Sequence, residues 1–363
     1  MKKTVTIIIT LFTTILLQAT IRTVSNVPST LAQYNTIQAA IDASNNGDTV
    51  YVHGSPNAYA SFTINNKKIA VIGPGWSPNK NLPLGVSVPG MTITGASAAG
   101  SEIQGIYVTS TIDINTSHPD NLRFIRNYFT NCQLIYLSQG STTYIGYLFE
   151  GNIFDNSYIQ ATGSSTYQNF LFQNNYFYNS GSCVGSQINA FLNSVNVLFT
   201  HNLFFGPASG VRNIFESNCR FLTLTNNIFV RMDPGYQNSL STFNNNITYY
   251  PAGSTPPSDP WTVNGNVNSG GNVSNQDPQM VIQSQINAGT FNPTGDHTIA
   301  AGPANNTASD GKDMGLLFDA TGSLNWTTSR TSRLPFIFSM NITNPTIPQA
   351  GTLNVQVEAR KNN

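Results

Sequence analysis

Charge is the scarcest property of this sequence. Only 9% of its 363 residues are Asp, Glu, Lys or Arg, and the formal net charge is zero, whereas an average soluble domain has about 25% charged residues. A disordered chain has few aromatics and a high net charge, so the aromatic content of 11% excludes global disorder. Because there is no basic excess to neutralise phosphates, nucleic acid is not an expected partner.

Lysine is missing between residues 81 and 311, where five arginines stand against eleven Asp and Glu residues. The body of the chain is therefore about six units negative. This charge would repel a polyanionic substrate unless Ca²⁺ intervened. The residues themselves predict no metal site and no other cofactor.

Cysteine is also rare, and the copies are Cys132, Cys183 and Cys219. Three cysteines cannot form a disulfide framework. Two interpretations stay open: free buried thiols, or a single Cys183–Cys219 bridge in an oxidising compartment.

A long apolar run occurs only at the start of the chain. Residues 1–20 read MKKTVTIIITLFTTILLQAT, with positive charge at Lys2 and Lys3, an apolar stretch through Leu17, and the small residue Ala19 at a position suited to cleavage. This pattern is typical of a secretory signal peptide. The alternative is a membrane anchor, for which the stretch is short. We expect a secreted protein, extracellular or periplasmic, with no membrane span after signal cleavage.

Asparagine replaces charge, with 46 copies, and six of them recur in an internal repeat. The pattern [Phe/Leu]-x-x-Asn-x-Phe occurs as FIRNYF (124–129), FEGNIF (149–154), FQNNYF (172–177), FTHNLF (199–204), LTNNIF (224–229) and, with Thr248 in place of the last Phe, FNNNIT (243–248). Helical solenoids repeat every 33–47 residues or so, and the skeleton of leucine-rich repeats is absent. Short period-2 runs between Asn and Gly turns are typical of strands. Each repeat is therefore predicted to be one coil of a parallel β-solenoid.

The repeated asparagines are predicted to form a ladder: Asn127, Asn152, Asn175, Asn202, Asn227 and Asn246. Coils stack about 4.8 Å apart, so each amide can donate to one neighbour and accept from the other. Asn also tolerates the left-handed conformation that a corner requires, and we expect the ladder residues to adopt it. The flanking aromatics should form two interior stacks, Phe124 to Phe199 and Phe129 to Phe229, which bury apolar surface.

Both ends of a solenoid need covering, because the end coils expose strand edges. Ile37, Ala40 and Ile41 share one face of a helix predicted over 36–45, with Asn35 and Gln38 as its capping box and a first strand at 48–52. The β-helix domain is predicted to span 34–320, with repeats at about 90–250 and a surface loop at 251–275. A C-terminal extension at 334–363 should contain two strands that pair with each other.

The segments TIQAAIDASNNGDTVYV (36–52) and INNKKIAVIGPG (64–75), together with the Asn-x-Phe coils, resemble the pectin-lyase-like right-handed parallel β-helix superfamily. The tail resembles uncharacterised secreted β-helix proteins of Bacteroidetes-type bacteria, in NQDP (275–278), AAGPA (300–304) and DGKDMG (310–315). The usual Ser-Pro-Ala-Ile run reads Gly-Pro-Ala-Asn-Asn here. The resemblance implies an all-β, single-stranded, right-handed parallel β-helix with a short N-terminal capping helix and a C-terminal β extension. One fold hosts many functions.

The resemblance also implies polysaccharide cleavage, either by lyases that hold Ca²⁺ with carboxylates and use Arg or Lys as the base, or by hydrolases with clustered Asp, Gly-His-Gly and Arg-x-Lys. The sequence has no Asp-Asp pair, no Gly-His-Gly and no Arg-x-Lys. The remaining catalytic candidates are Glu150, Arg126, His201 and Asp155. Arg126 and Glu150 are predicted on successive coils, with His201 two coils further on. Such a group can perform acid–base work or form a solvated surface ion pair.

Two sets of side chains are candidates for contact with a partner. Leu148, Leu171 and Leu198 should point outwards as a stripe that is either exposed or covered by another segment. Tyr144, Tyr158 and Tyr167 are expected on loops, where they could stack on sugars. The sequence favours a secreted, non-catalytic protein that binds a polysaccharide or cell-surface glycan or has a structural role. The alternative is a polysaccharide lyase or glycoside hydrolase acting on an extracellular glycan, with Ca²⁺ if it is a lyase.

Overall fold

Short strands wind into coils, and the corresponding strands of successive coils pair in parallel. The computed structural model describes residues 19–76, 84–114, 117–130, 135–137, 141–161, 164–181, 188–317, 336–342 and 355–360. The predicted all-β parallel β-solenoid is confirmed. No helix within these ranges has the length and apolar character needed to cross a bilayer. Cys132, Cys183 and the first 18 residues lie outside the described residues.

Three long parallel sheets form the walls. The 11-stranded sheet contains Ile21–Val24, Thr49–Val52, Ala70–Ile72, Glu102–Gln104, Arg123–Ile125, Leu148–Glu150, Leu171–Gln173, Val197–Thr200, Leu222–Thr225, Thr242–Asn244 and Val267–Asn268. The 8-stranded sheet contains Ser87–Val88, Tyr107–Val108, Tyr128–Thr130, Ile153–Asp155, Tyr176–Tyr178, Leu203–Phe205, Ile228–Val230 and Ile247–Tyr249. The 7-stranded sheet contains Phe62–Asn65, Met91–Thr94, Ile112–Asp113, Ile135–Leu137, Ile159–Ala161, Ile188–Asn189 and Phe215–Glu216.

Smaller elements complete the coils. A 3-stranded sheet joins Thr143–Ile145, Thr166–Gln168 and Asn193–Val195, and two strand pairs join Arg212–Asn213 to Met232–Asp233 and Cys219–Arg220 to Asn238–Ser239. The helices are Ile37–Ala43 and Gln283–Asn287, with 3₁₀ turns at Ala96–Ala98 and Val263–Gly265. The C-terminal strands Phe336–Ile342 and Val355–Arg360 pair with each other in antiparallel fashion.

The repeated asparagines lie in one file at the corner between the 11-stranded and 8-stranded sheets. Asn175 shows the pattern: its amide nitrogen donates to Oδ1 of Asn202 at 3.0 Å and to the carbonyl of Phe149 at 2.9 Å, and its Oδ1 accepts from the backbone N and Nδ2 of Asn152. The file continues beyond the predicted six members, because Asn246 donates to Oδ1 of Asn272. Every donor and acceptor of such a buried amide therefore has a partner, which burial requires.

The prediction that the ladder residues adopt the left-handed conformation is wrong, because the residue one position earlier adopts it instead. Positive φ belongs to the residue before each ladder Asn: Arg126 (52°), Gly151 (64°), Asn174 (56°), His201 (52°), Asn226 (59°) and Asn245 (49°). This residue makes the turn. The Asn that follows it recurs in every repeat because its side-chain amide is needed for the ladder, and not because its backbone conformation requires Asn. We call these six residues the corner column.

Stacked rings fill the interior as predicted. Centroids along the Phe124–Phe149–Phe172–Phe199 stack are 5.1, 4.8 and 4.3 Å apart. The second stack, Phe129 to Phe229, has spacings between 4.5 and 5.0 Å. These spacings follow the distance between paired strands, so in-register pairing places like rings over one another.

The N-terminal end differs from the prediction in two details. The helix Ile37–Ala43 is capped by Thr36, whose hydroxyl accepts from the N of Ala39, and not by Asn35. The strand Ile21–Val24 precedes the predicted first strand and pairs with Thr49–Val52. At the other end Trp261 packs on Phe229 and Phe243, and the strand Val267–Asn268 lies inside the segment predicted as a surface loop.

Residues 276–317 cover the outer face of the 8-stranded sheet and form a second core. Met280, Ile286 and Met314 lie in this core with the outward side chains Tyr176 and Leu203. Arg231, which is 1% exposed, donates to the carbonyls of Ile286 and Asn287 at the end of the second helix. We call residues 276–317 the cover segment.

Candidate functional site: the polar face of the 7-stranded sheet

One file of outward-pointing polar side chains runs the length of the 7-stranded sheet. We call it the polar face, and its members are Thr63, Thr92, Asp113, Tyr136, Gln160, Asn189 and Glu216, paired strand by strand. All seven are half-buried, whereas the residues beside them in the same strands, such as Ile112, Ile159 and Phe215, are buried. Because side chains alternate between the two faces of a strand, the polar face follows from one polar residue in each strand.

A hollow of about 370 Å³ lies at the N-terminal end of the polar face. Thr63, Thr92 and Asp113 line it together with Thr111 and Gln38 from the first helix. The Gln38 side chain is held in place, since its Oε1 accepts from the N of Thr63 at 2.7 Å. We call this the N-terminal hollow.

A larger hollow of about 550 Å³ lies at the C-terminal end, where Glu216 ends the polar face. We call it the C-terminal hollow, and its lining is Asn179, Gly181, Val211, Arg212, Asn213, Glu216, Ser217, Asn218, Tyr236 and Gln237. A neighbouring hollow of about 400 Å³ shares Asn218, Tyr236 and Gln237 with it. The two hollows are therefore adjacent, and Asn and Gln side chains line both.

Local turns position the charged and aromatic groups of the C-terminal hollow. Oδ1 of Asp233 accepts from the N of Gly235 at 2.9 Å and the N of Tyr236 at 3.2 Å, which fixes the turn that leaves Tyr236 48% exposed. Burial raises the pKa of Asp233, and these two hydrogen bonds oppose the rise. A Cβ on Gly181, whose φ is 83°, would lie 2.5 Å from Nη2 of Arg212, so a side chain there would displace the guanidinium from its present position.

The polar face is chemically suited to hydrogen bonding with hydroxyl groups. Side-chain amides offer two donors and an acceptor, and Thr and Tyr hydroxyls both donate and accept. An exposed ring such as that of Tyr236 adds apolar contact area beside these polar groups. These groups are therefore able to form hydrogen bonds and apolar contacts with a molecule that carries hydroxyl groups.

The four catalytic candidates lie in three separate places. Arg126 and Glu150 are neighbours, because the N of Arg126 donates to the carbonyl of Glu150 at 2.8 Å. Burial lowers the pKa of the Arg126 guanidinium, and Glu150 opposes that change. Glu150 points outwards from the 11-stranded sheet between Ile125 and Gln173, which is not the face that carries the hollows.

His201 faces the cover segment and not Glu150. Its Nε2 is 3.3 Å from Oδ2 of Asp310, and its Nδ1 is 3.3 Å from the carbonyl oxygen of Gly315. Burial lowers the pKa of His201, while Asp310 opposes the change. With Asn174, Asn226 and Asn245, it belongs to the part of the corner column that binds residues 307–317. Its role in this structure is to hold the cover segment.

Asp155 is the last residue of the strand Ile153–Asp155 in the 8-stranded sheet. Its Oδ2 accepts from the hydroxyl of Tyr128 at 2.6 Å, and its Oδ1 accepts from the amide of Asn156. Burial and the Asp155 carboxylate raise the pKa of Tyr128. Asp155 therefore shares no site with Glu150 or His201.

The contact candidates have mixed outcomes. Leu148, Leu171 and Leu198 form a paired, half-buried stripe on the 11-stranded sheet. Tyr144 and Tyr167 are fully buried and stack on each other inside the solenoid, so the expectation that they lie on loops is wrong. Their strands alternate with the same period as the others, and each ring points to the interior.

Comparison with protein-family models and with curated proteins yields no match. The relation to pectin-lyase-like proteins therefore remains a resemblance, and the structure establishes the parallel β-solenoid fold.

A Ca²⁺ site of the lyase kind does not fit the residues present. The polar face holds two carboxylates, Asp113 and Glu216, on strands four steps apart in the sheet, about 19 Å at the usual strand spacing. Within the described ranges no three His, Cys, Asp or Glu side chains group closely enough to hold a metal.

The sequence analysis missed the polar face and Arg212, Asp233 and Tyr236. A signal for the polar face was present: in every strand of the 7-stranded sheet a buried apolar residue, which is Met91 in one strand and Ile or Phe in the other six, is followed by a polar residue. The number of residues between successive strands of this sheet varies with loop length. The alignment of their polar side chains is therefore visible only in the structure, where the coils are in register.

Proposed function

We propose that this protein is exported and binds an extended, mostly neutral glycan along the polar face without cleaving it. The observation that carries the proposal is the continuous file of seven polar side chains with a hollow at each end. A flexible polymer with a hydroxyl-rich repeat matches a sheet face whose hydrogen-bonding groups also repeat. The proposal of export rests on the character of residues 1–20.

The placement of acidic groups favours binding over hydrolysis. Glycosidases hold two carboxyl groups roughly 5–10 Å apart across the scissile bond. Asp113 and Glu216 are about 19 Å apart by strand count, and Glu150 and Asp155 belong to other sheets. Among these four acids, no two lie together on the polar face at the separation of roughly 5–10 Å that a glycosidase requires.

Cleavage at the C-terminal hollow is the second candidate function. Its lining contains Glu216 and Arg212, and Asp233 lines the adjacent hollow. A carboxyl group of raised pKa is a feature of general acids. Here Asp233 already accepts two backbone hydrogen bonds, which assigns it first to the turn.

A panel of soluble polysaccharides, followed by calorimetry on those that bind, tests the proposal. Gln160→Ala should weaken binding about fivefold, because a lost hydrogen bond in a site is worth roughly 1 kcal/mol and each 1.4 kcal/mol or so is a factor of ten. Gln173→Ala is the matched control, since Gln173 is a half-buried outward Gln on the 11-stranded sheet. Equal effects of the two variants would contradict a site on the polar face.

Product analysis separates binding from cleavage. Reducing ends and unsaturated products should stay at background for every glycan that binds. If products form and Glu216→Gln abolishes them while binding persists, the second candidate function replaces the first.

A further inference from the structure

A buried carboxylate, that of Asp48, binds the backbone just before the strand Ile21–Val24. The backbone N of Thr20 donates to Oδ1 of Asp48 at 2.8 Å, and the strand Ile21–Val24 starts at the next residue. Asp48 is only 2% exposed. Its other oxygen, Oδ2, accepts from the N of Asn45 at 2.9 Å and from Nε of Arg22 at 3.3 Å.

The nitrogen of Thr20 is held firmly although its residue is exposed. The carbonyl of Thr20 accepts from the N of Thr49 at 2.9 Å, so the parallel pairing reaches back to this peptide. Ala19 and Thr20 are both exposed, which leaves the bond between them accessible. Ala19 is also the small residue at which the predicted leader would end.

We propose that Asp48 is a socket for the amino terminus of the mature chain, produced when a leader-processing protease hydrolyses the Ala19–Thr20 bond. One water is consumed: its oxygen bonds to the carbonyl carbon of Ala19, the C–N bond breaks, and the Thr20 nitrogen takes the proton. The leader departs as a carboxylate, and the Thr20 amine takes up a further proton from solvent. The hydrogen bond to Asp48 then becomes an ion pair.

Charge balance around Asp48 explains why this is a favourable arrangement. A buried carboxylate is stable only when its oxygens are hydrogen-bonded and its charge is compensated. The Arg22 guanidinium, 3.3 Å away, compensates the charge on Oδ2, while Oδ1 accepts a hydrogen bond from the Thr20 nitrogen. Before cleavage this nitrogen is a neutral amide, and after cleavage it is an ammonium at neutral pH. Cleavage therefore strengthens the contact that anchors the edge strand.

This inference rests on the exported state within the proposed function and is independent of glycan binding. Its first test is production of the complete chain in a secreting bacterial host, followed by intact mass and N-terminal sequencing. The expected first residue is Thr20. Another first residue, or a retained leader, would overturn the assignment whether or not the protein binds glycans.

The second test asks whether Asp48 senses the new charge. A chain beginning at Thr20 is compared in thermal unfolding with one carrying Gly-Ser before Thr20, which keeps an amide at that nitrogen. We expect the extended chain to melt lower, by roughly 3 °C. Asp48→Asn should abolish this difference, whereas Arg22→Gln, which removes the other cation, should preserve it. An equal difference in all three backgrounds would overturn the proposal.

A labelling experiment covers the case in which Asp48→Asn does not fold. In a brief acylation pulse of the native chain beginning at Thr20, the α-amine should react at least tenfold more slowly than in the same chain unfolded in denaturant. Equal rates would mean that the amine is not engaged, and the socket would be excluded.

Discussion

At the scale of the residue, each ladder amide joins its own coil to the coils before and after it, as Asn175 does. We predict that Asn175→Ala lowers the free energy of unfolding by about 3 kcal/mol or more. The substitution leaves the N of Asn152, the carbonyl of Phe149 and Oδ1 of Asn202 short of partners at a fully buried site. Unpaired buried polar groups cost about 1–3 kcal/mol each. Denaturant titration measures the change. The control is Asn272→Ala at the half-buried last rung, and a loss as large there would argue against burial as the cause.

The left-handed corners yield a second residue-scale prediction. Asn169, Asn196, Phe221 and Leu240 occupy equivalent positions on successive coils, with φ between 52° and 58°. Asn tolerates this region better than other non-glycine residues. Phe221→Asn should therefore be more stable than Phe221→Ala by about 1 kcal/mol. Both variants lose the ring, which is 46% exposed, so the comparison isolates the backbone; equal stability would show that the corner is unstrained.

At the scale of the element, sequence periodicity predicted what repeats in every coil. The Asn ladder and both Phe stacks follow from like residues recurring at one coil spacing, and the first helix follows from the apolar face of Ile37, Ala40 and Ile41. Contacts that occur once could not be predicted this way. His201 meets Asp310 more than a hundred residues along the chain, and nothing local to either residue announces the contact.

The cover segment depends on a histidine that must stay neutral. His297 is 2% exposed, its Nδ1 lies 2.8 Å from the carbonyl of Gly295, and its ring packs edge-on to Tyr176. Burial lowers the pKa of His297 to about 4 from an ordinary value of 6.5. Between these two pH values the unfolded chain binds a proton that the folded chain does not. The stability due to a neutral His297 is therefore full above pH 6.5 and is lost as the pH falls towards 4.

Each pKa unit corresponds to about 1.4 kcal/mol, so the loss across this range should be about 3 kcal/mol. His297→Asn should flatten the dependence of unfolding free energy on pH between 4 and 6.5. His201→Asn should flatten it less, because Asp310 and Gly315 partly oppose the lowered pKa of His201. The measurement is urea unfolding at half-unit pH intervals. An unchanged slope in His297→Asn would mean that this histidine is charged in the folded protein.

At the scale of the whole molecule, the solenoid converts a short local pattern into a long surface. The polar face is built from one residue per coil, so no window of sequence as short as a strand reveals it. The low charge of the chain fits this surface: the ladder consists of amides, and five of the seven side chains of the polar face are amides or hydroxyls, with Asp113 and Glu216 as the exceptions. If the polar face binds a polymer as proposed, affinity should grow with the length of the ligand, since each coil contributes a similar small amount.

Affinity for a glycan should therefore depend on the length of the oligosaccharide. The polar face has seven strands, and six steps of about 4.8 Å give a span of about 29 Å. We predict that affinity rises with each added sugar until the oligosaccharide reaches this span and then levels off. Calorimetry on a size-fractionated series of one binding glycan measures the dependence. The Gln160→Ala variant, measured with the same series, removes one contact in the interior of the polar face. If the shortest oligosaccharides already bind with full affinity, recognition is confined to one hollow and the intervening strands only separate the two ends.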